Sequence, residues 1–113
     1  MKIRALVVDD NPLDKKLISV FLKKLSLEND YAVNGKEAVE KLKNNQYDIC
    51  FMDIEMPVMD GIEATKVIRE EISKNLPIIA VTAVSDFTLE KSLKAGMNDY
   101  LGKPVNLQVL KNI

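Results

Sequence analysis

Short, nearly continuous apolar runs occur at residues 3–8, 49–52 and 78–81. Each is too short for a helix and is bounded by polar or turn-forming residues. This predicts strands of a parallel sheet covered on both faces. Two weaker runs, at 31–33 and 100–101, are shorter or more polar and are expected at the sheet edges. Between the runs, apolar residues recur with helical spacing: Leu17, Phe21 and Leu25; Ala38, Val39 and Leu42; Ala64, Val67, Ile68 and Ile72; Leu89 and Leu93. Start and stop signals agree with this parsing. Asn11 is a natural N-cap before Pro12 at the first helical position, and Asp14 completes the first turn. Asn34 with Glu37 and Asp60 with Glu63 have capping-box spacing. Gly96 after Ala95 suits a left-handed helix stop. A last helix is expected from Asn106, and since the chain ends at Ile113 that helix should be cut short.

Strands alternating with helices through short connections require right-handed crossovers. The expected fold is therefore α/β, a doubly wound parallel sheet with helices on both faces, as one domain over residues 1–113. The pattern does not give the strand order.

Composition narrows the chemistry. With 47% hydrophobic and 29% charged residues the chain is an ordinary globular domain, and a net charge of −1 gives no electrostatic case for nucleic acid or a membrane surface. There is no histidine, which excludes Ser-His-Asp and Cys-His catalysis, imidazole metal ligation and phosphohistidine on this chain. The single cysteine, Cys50, can form neither an internal disulfide nor a thiolate zinc site, so a reducing, cytoplasmic setting is expected. Its place between Ile49 and Phe51 reads as a small buried apolar residue. Met52 reads as core, and Met56 and Met59 as part of a loop whose turns Pro57 and Gly61 fix.

In open α/β sheets the site lies beyond the carboxyl ends of the strands. Asp9 and Asp10 follow the first run, Asp53 the second, Thr82 the third, and Lys103 follows the run at 100–101. Any one of these is an unremarkable strand-end residue; together they bring three carboxylates, a hydroxyl and an amine to one edge. Clustered carboxylates call for a cation, and hard oxygen ligands suit Mg²⁺. A carboxylate can also attack phosphorus to give an acyl phosphate, with a metal, a lysine and a hydroxyl neutralising the phosphoryl oxygens. The helix starting at Asn11–Pro12 points its positive end at the same place.

Four stretches, VVDDNP at 7–12, MDIEMPVMDG at 52–61, VTA at 81–83 and KAGMNDYLGKPV at 94–105, resemble the response-regulator receiver family over essentially the whole chain. The resemblance implies a flavodoxin-like sheet in the order 2-1-3-4-5. It implies that Asp53 is the phosphoacceptor. Asp10 and Asp53 would bind Mg²⁺ (or Mn²⁺), with Asp9 acting mostly through water and the backbone carbonyl of Glu55 completing the protein ligands. Thr82, Lys103 and the backbone N–H of Ala83 would hold the phosphoryl oxygens. Tyr100 matches the aromatic switch residue that packs into the space Thr82 leaves, and a cis peptide is frequent in the family at Lys103–Pro104. Glu55 and Val84 occupy positions tied to phosphoryl lifetime.

The resemblance further implies a histidine kinase or histidine phosphotransfer domain as partner, with Pro12, Leu13, Val20 and Pro104 as an expected docking surface. It allows a weak dimer on activation. The MDIEMPVMDG and KPV stretches look most like receivers of hybrid sensor histidine kinases. Such a domain is not itself an enzyme but an autocatalytic phosphoryl acceptor with slow self-dephosphorylation. Three other readings stay open at this point: a receiver-like interaction module acting without phosphorylation, a Mg-dependent phosphohydrolase and a flavodoxin-like cofactor carrier. Glu55 lies in a turn with no second acid–base candidate, which disfavours the hydrolase. Asp9 and Asp10 would repel the phosphate of a carrier's cofactor.

Overall fold

The three strongly apolar runs become adjacent central strands. The computed structural model describes residues 3–83 and 86–103, together with Gln108. Its elements are β1 (Arg4–Val8), α1 (Pro12–Lys24), β2 (Glu28–Ala32), α2 (Gly35–Asn44), β3 (Ile49–Asp53), α3 (Gly61–Glu71), β4 (Ile78–Thr82), α4 (Asp86–Ala95) and β5 (Asp99–Gly102). The strands form one sheet in the order β2-β1-β3-β4-β5, every pair parallel. The expected last helix from Asn106, together with Val84 and Pro104, lies outside the described residues.

Period-two alternation along the central strands builds two cores. Leu6, Val8, Cys50, Met52, Ile78 and Ala80 face one side, where they pack with Ala38, Leu42, Ala64 and Ile68. Ala5, Val7, Phe51, Ile79 and Val81 face the other, against Ile18 and Leu22 of α1. Because both faces are covered, β1, β3 and β4 need the nearly unbroken apolar runs seen in the sequence. Cys50 is fully buried, as expected, and burial pushes its thiol up to about 12. Met52 is core, while Met56 and Met59 pack partly buried against it.

All three predicted N-caps form. Asn11 accepts from the N–H groups of Leu13 and Asp14, Asn34 from Glu37 and Asp60 from Glu63. Gly96 takes φ +112°, the left-handed stop predicted for it.

Three sequence expectations need correction. β2 starts at Glu28 and ends at Ala32, leaving Val33 outside it and exposed. An edge strand draws its order from backbone pairing with β1 and can be polar. Here Asn29 accepts from Ser19, and Asp30 accepts from Arg4 and Tyr47. In α1 the most deeply buried apolar residues are Ile18 and Leu22, with Leu17 only half-buried. Phe21 and Leu25 of the expected stripe pack partly buried against the same core, so two interleaved i,i+4 stripes share the inward face. In α4, Leu93 is exposed and Ser92 and Ala95 turn inward, because small residues let the helix approach closely.

Candidate functional site

β1 and β3 run side by side with Val8 opposite Met52, so Asp9 and Asp53 emerge next to one another. Asp53 is itself opposite Val81 of β4, which puts Thr82 one residue further along the same edge. Thr82 in turn pairs with Gly102, and its carbonyl accepts from the Lys103 N–H at 2.9 Å. Strand register alone thus gathers Asp9, Asp53, Thr82 and Lys103.

The start of α3 tightens this arrangement. A Cβ on Gly61 would lie 2.2 Å from the backbone oxygen of Asp53, so only glycine lets α3 begin against the end of β3. The Gly61 N–H donates to the Ile54 carbonyl at 2.9 Å, closing the loop that carries Glu55. Within that loop Val58 has φ 74°, a left-handed conformation that is costly for a β-branched residue. On its other side the loop is tied to α2, whose Gly35 N–H donates to the Met59 carbonyl at 2.9 Å.

Asp9, Asp10 and Asp53 can each direct an oxygen into one group whose members lie within 4.8 Å of one another. Asp9 and Asp53 are buried and Asp10 is exposed. Asp9 Oδ1 accepts from the Asn11 N–H at 2.9 Å. Asp9 Oδ2 is buried and, among the described residues, is the one such side-chain atom with no hydrogen-bond partner. The Lys103 ammonium is 3.3 Å from it, close enough for an ion pair but not aligned for a hydrogen bond. An orphaned buried oxygen beside two further carboxylates is a donor set that fits a small hard cation such as Mg²⁺.

The Lys103 Nζ donates to Asp53 Oδ2 at 3.3 Å and forms an ion pair with Asp14 Oδ2 at 2.9 Å. Burial, and after it the nearby charge of Asp9, raise the Asp53 carboxyl from 3.8 to about 6, against the pull of Lys103. Burial alone would lower the Lys103 ammonium. The close Asp14 carboxylate, and after it the charges of Asp53 and Asp9, outweigh it and hold the group above its ordinary value. At neutral pH this edge therefore presents an ionised Asp53 beside a cation. That combination can attack an electrophilic phosphorus and balance the charge that follows.

Of the other sequence candidates, Ala83 is exposed immediately after β4. The Glu55 N–H donates to Asp53 Oδ1 at 3.3 Å, and the Glu55 side chain is exposed. Tyr100, in register with Ala80, is 47% exposed on β5. Pro12, Leu13 and Val20 are exposed on α1, Leu13 more fully than Val20. The contact missed in the sequence is Asp14 with Lys103. Asp14 reads as a first-turn acid suited to the helix dipole, and nothing local links it to a residue at the other end of the chain.

A sheet in this order with such an edge is the arrangement of a receiver domain, and the chain belongs to that family. It matches the response regulator receiver domain family over residues 5–113. It is 41% identical, over 99% of its length, to the hybrid signal transduction histidine kinase G of Dictyostelium discoideum, and spans 3% of that protein. It is equally 41% identical over 96% of its length to the signal transduction histidine-protein kinase BarA of Escherichia coli K12, spanning 12% of it. Among solved structures it is similar to the receiver domain of sensor histidine kinase PA1611 from Pseudomonas aeruginosa PAO1. That structure has a magnesium ion coordinated in the active site cleft; identity is 37%, TM-score 0.91, and coverage 99% of this chain and 93% of that one. The Saccharomyces cerevisiae Ssk1 receiver, solved with the histidine phosphotransfer protein Ypd1, is 37% identical with TM-score 0.88, over 97% of this chain and 84% of that one. No helix among the described residues is long and apolar enough to cross a membrane.

Proposed function

We propose that this receiver domain accepts a phosphoryl group onto a side-chain oxygen of Asp53. The observation that carries the reading is the convergence of Asp9, Asp53 and Lys103, with Lys103 Nζ 3.3 Å from both carboxylates. In the transfer, an Asp53 oxygen forms the O–P bond as the N–P bond to a partner's phosphohistidine breaks. The imidazole nitrogen keeps that electron pair and takes a proton from solvent. The domain must borrow its donor, since it contains no histidine.

Lys103, the Thr82 hydroxyl and the Ala83 N–H donate to the phosphoryl oxygens. Asp10, Asp53, the Glu55 carbonyl and, through water, Asp9 hold Mg²⁺ or Mn²⁺, which neutralises phosphoryl charge when bound. The return step is slow hydrolysis: water adds to phosphorus, the bond to Asp53 breaks, and inorganic phosphate leaves. Drawing Thr82 inward makes room for Tyr100, which lies half-exposed on β5. Residues 1–113 act as one cytoplasmic receiver unit. The partner is a histidine kinase or phosphotransfer domain, a reading supported by the Ypd1 complex of a similar receiver, and Pro12, Leu13 and Val20 with Pro104 form the docking face for it.

Incubation with Mg²⁺ and acetyl phosphate should add one phosphoryl mass increment that is absent from Asp53→Asn. If wild type gains no increment from any donor, the domain works without phosphorylation; steady turnover of unrelated phosphate esters would instead mark a hydrolase. Chemical-shift mapping with a phosphotransfer partner tests the docking face, and unmoved Leu13 and Val20 signals would remove it.

A further inference from the structure

Lys103 is shared among three carboxylates, and the sharing is unequal. Asp14 Oδ2 is nearest, as an ion pair at 2.9 Å; Asp53 Oδ2 accepts a longer hydrogen bond from the ammonium at 3.3 Å, and Asp9 Oδ2 stands at 3.3 Å. Asp14 lies in the first turn of α1, where its own N–H donates to the Asn11 cap. Its side chain is one-third exposed and lies outside the carboxylate group able to converge on a cation. An acid in the first helical turn would favour the dipole even while pointing into water. Here it reaches back to the pocket's cation instead, closer to it than either buried acid.

We infer that Asp14 is a positioning residue that competes with the phosphoacceptor for Lys103. It holds the ammonium on the α1 side of the pocket while Asp53 is unmodified. It gives the ammonium up when a phosphoryl group arrives at Asp53. This rests on the reading of Asp53 as phosphoacceptor. The exchange is one ion pair for another: Lys103 leaves Asp14 and donates to a phosphoryl oxygen, with no further covalent change. Breaking the Asp14 pair opposes the phosphorylated state, so Asp14 tunes how readily the switch is thrown.

The test uses the whole chain with Mg²⁺ and beryllofluoride, a phosphoryl mimic that bonds to a carboxylate oxygen. Asp14→Asn should bind the mimic about 2–5-fold more tightly than wild type, the range expected for a partly exposed ion pair. Asp14→Glu, which keeps the charge, should return the affinity towards wild type. The discriminating readout is the ¹⁵N signal of the Lys103 ammonium. Asp14→Asn should move it in the unbound protein and leave it unmoved in the beryllofluoride complex, where Lys103 has already left. A signal displaced equally in both states would mean a general charge effect and would overturn the inference. So would unchanged affinity, or a signal unmoved in both states. If wild type neither binds beryllofluoride nor gains a phosphoryl increment from acetyl phosphate, the phosphoacceptor reading itself fails.

Discussion

The two ends of the sheet handle charge in opposite ways. At the amino end, the Arg4 guanidinium pairs with Asp30 at 3.0 Å and lies 5.0 Å over the Tyr47 ring, while the Arg4 N–H donates to Asp48. Burial and the hydrogen bond to Asp30 push the Tyr47 hydroxyl up to about 12. Arg69 donates to the carbonyls of Gly96 and Ser73 and to Asn98, whose side-chain oxygen also accepts from Ile78 N–H. At the carboxyl end, two buried acids crowd together, one oxygen lacks a hydrogen bond, and Val58 is strained. One end is satisfied and serves stability; the other stores unfavourable interactions that a ligand can relieve.

Substitutions can test this contrast. Gly61→Ala should cost about 3 kcal/mol in denaturant unfolding, since its Cβ would collide with the backbone that holds Asp53. A cost near zero would mean that α3 and β3 are loosely coupled. Arg69→Met should cost about 2 kcal/mol, because Gly96 and Ser73 lose donors in a partly buried setting.

At the other end the sign should reverse. Asp53→Asn in metal-free buffer should stabilise the fold by roughly 1 kcal/mol at neutral pH by removing one of two crowded charges. The Asp53 carboxyl rises from 3.8 to about 6 on folding, so its favourable contribution is complete below the lower value. That contribution is lost as pH rises through about 6. The advantage of the Asn variant should therefore grow across this window and then level off, which thermal unfolding against pH measures. Smallest is Val58→Gly, expected to gain about 0.5 kcal/mol as relieved strain exceeds the added chain entropy. A loss there would show the left-handed turn to be unstrained.

The ends also differ in how visible they were beforehand. The strand-end acids, Thr82 and Lys103 were legible because parallel strands deliver their last residues to one edge, whatever the details of packing. The extent of β2 was hidden, since Glu28, Asn29 and Asp30 carry no apolar signal and are ordered by the ladder to β1. The inward face of α4 was hidden because Ser92 and Ala95 are chosen for size, while the larger Leu93 stays outside. Asp14 escaped notice for a different reason. Its partner is nearly the whole chain away, and only the folded sheet brings α1 and the end of β5 together.

The bonds from Gly61 to Ile54 and from Gly35 to Met59 make the intervening loop a buckle fastened at both ends. Its length is therefore fixed between β3 and α3, which it joins, and α2, against which it is tied. An engineer who inserts a sensor peptide between Ile54 and Gly61 must unfasten one helix and release Asp53 with it. The turn at Asn45–Gln46 spans none of these fastenings and is the better place to graft a reporter.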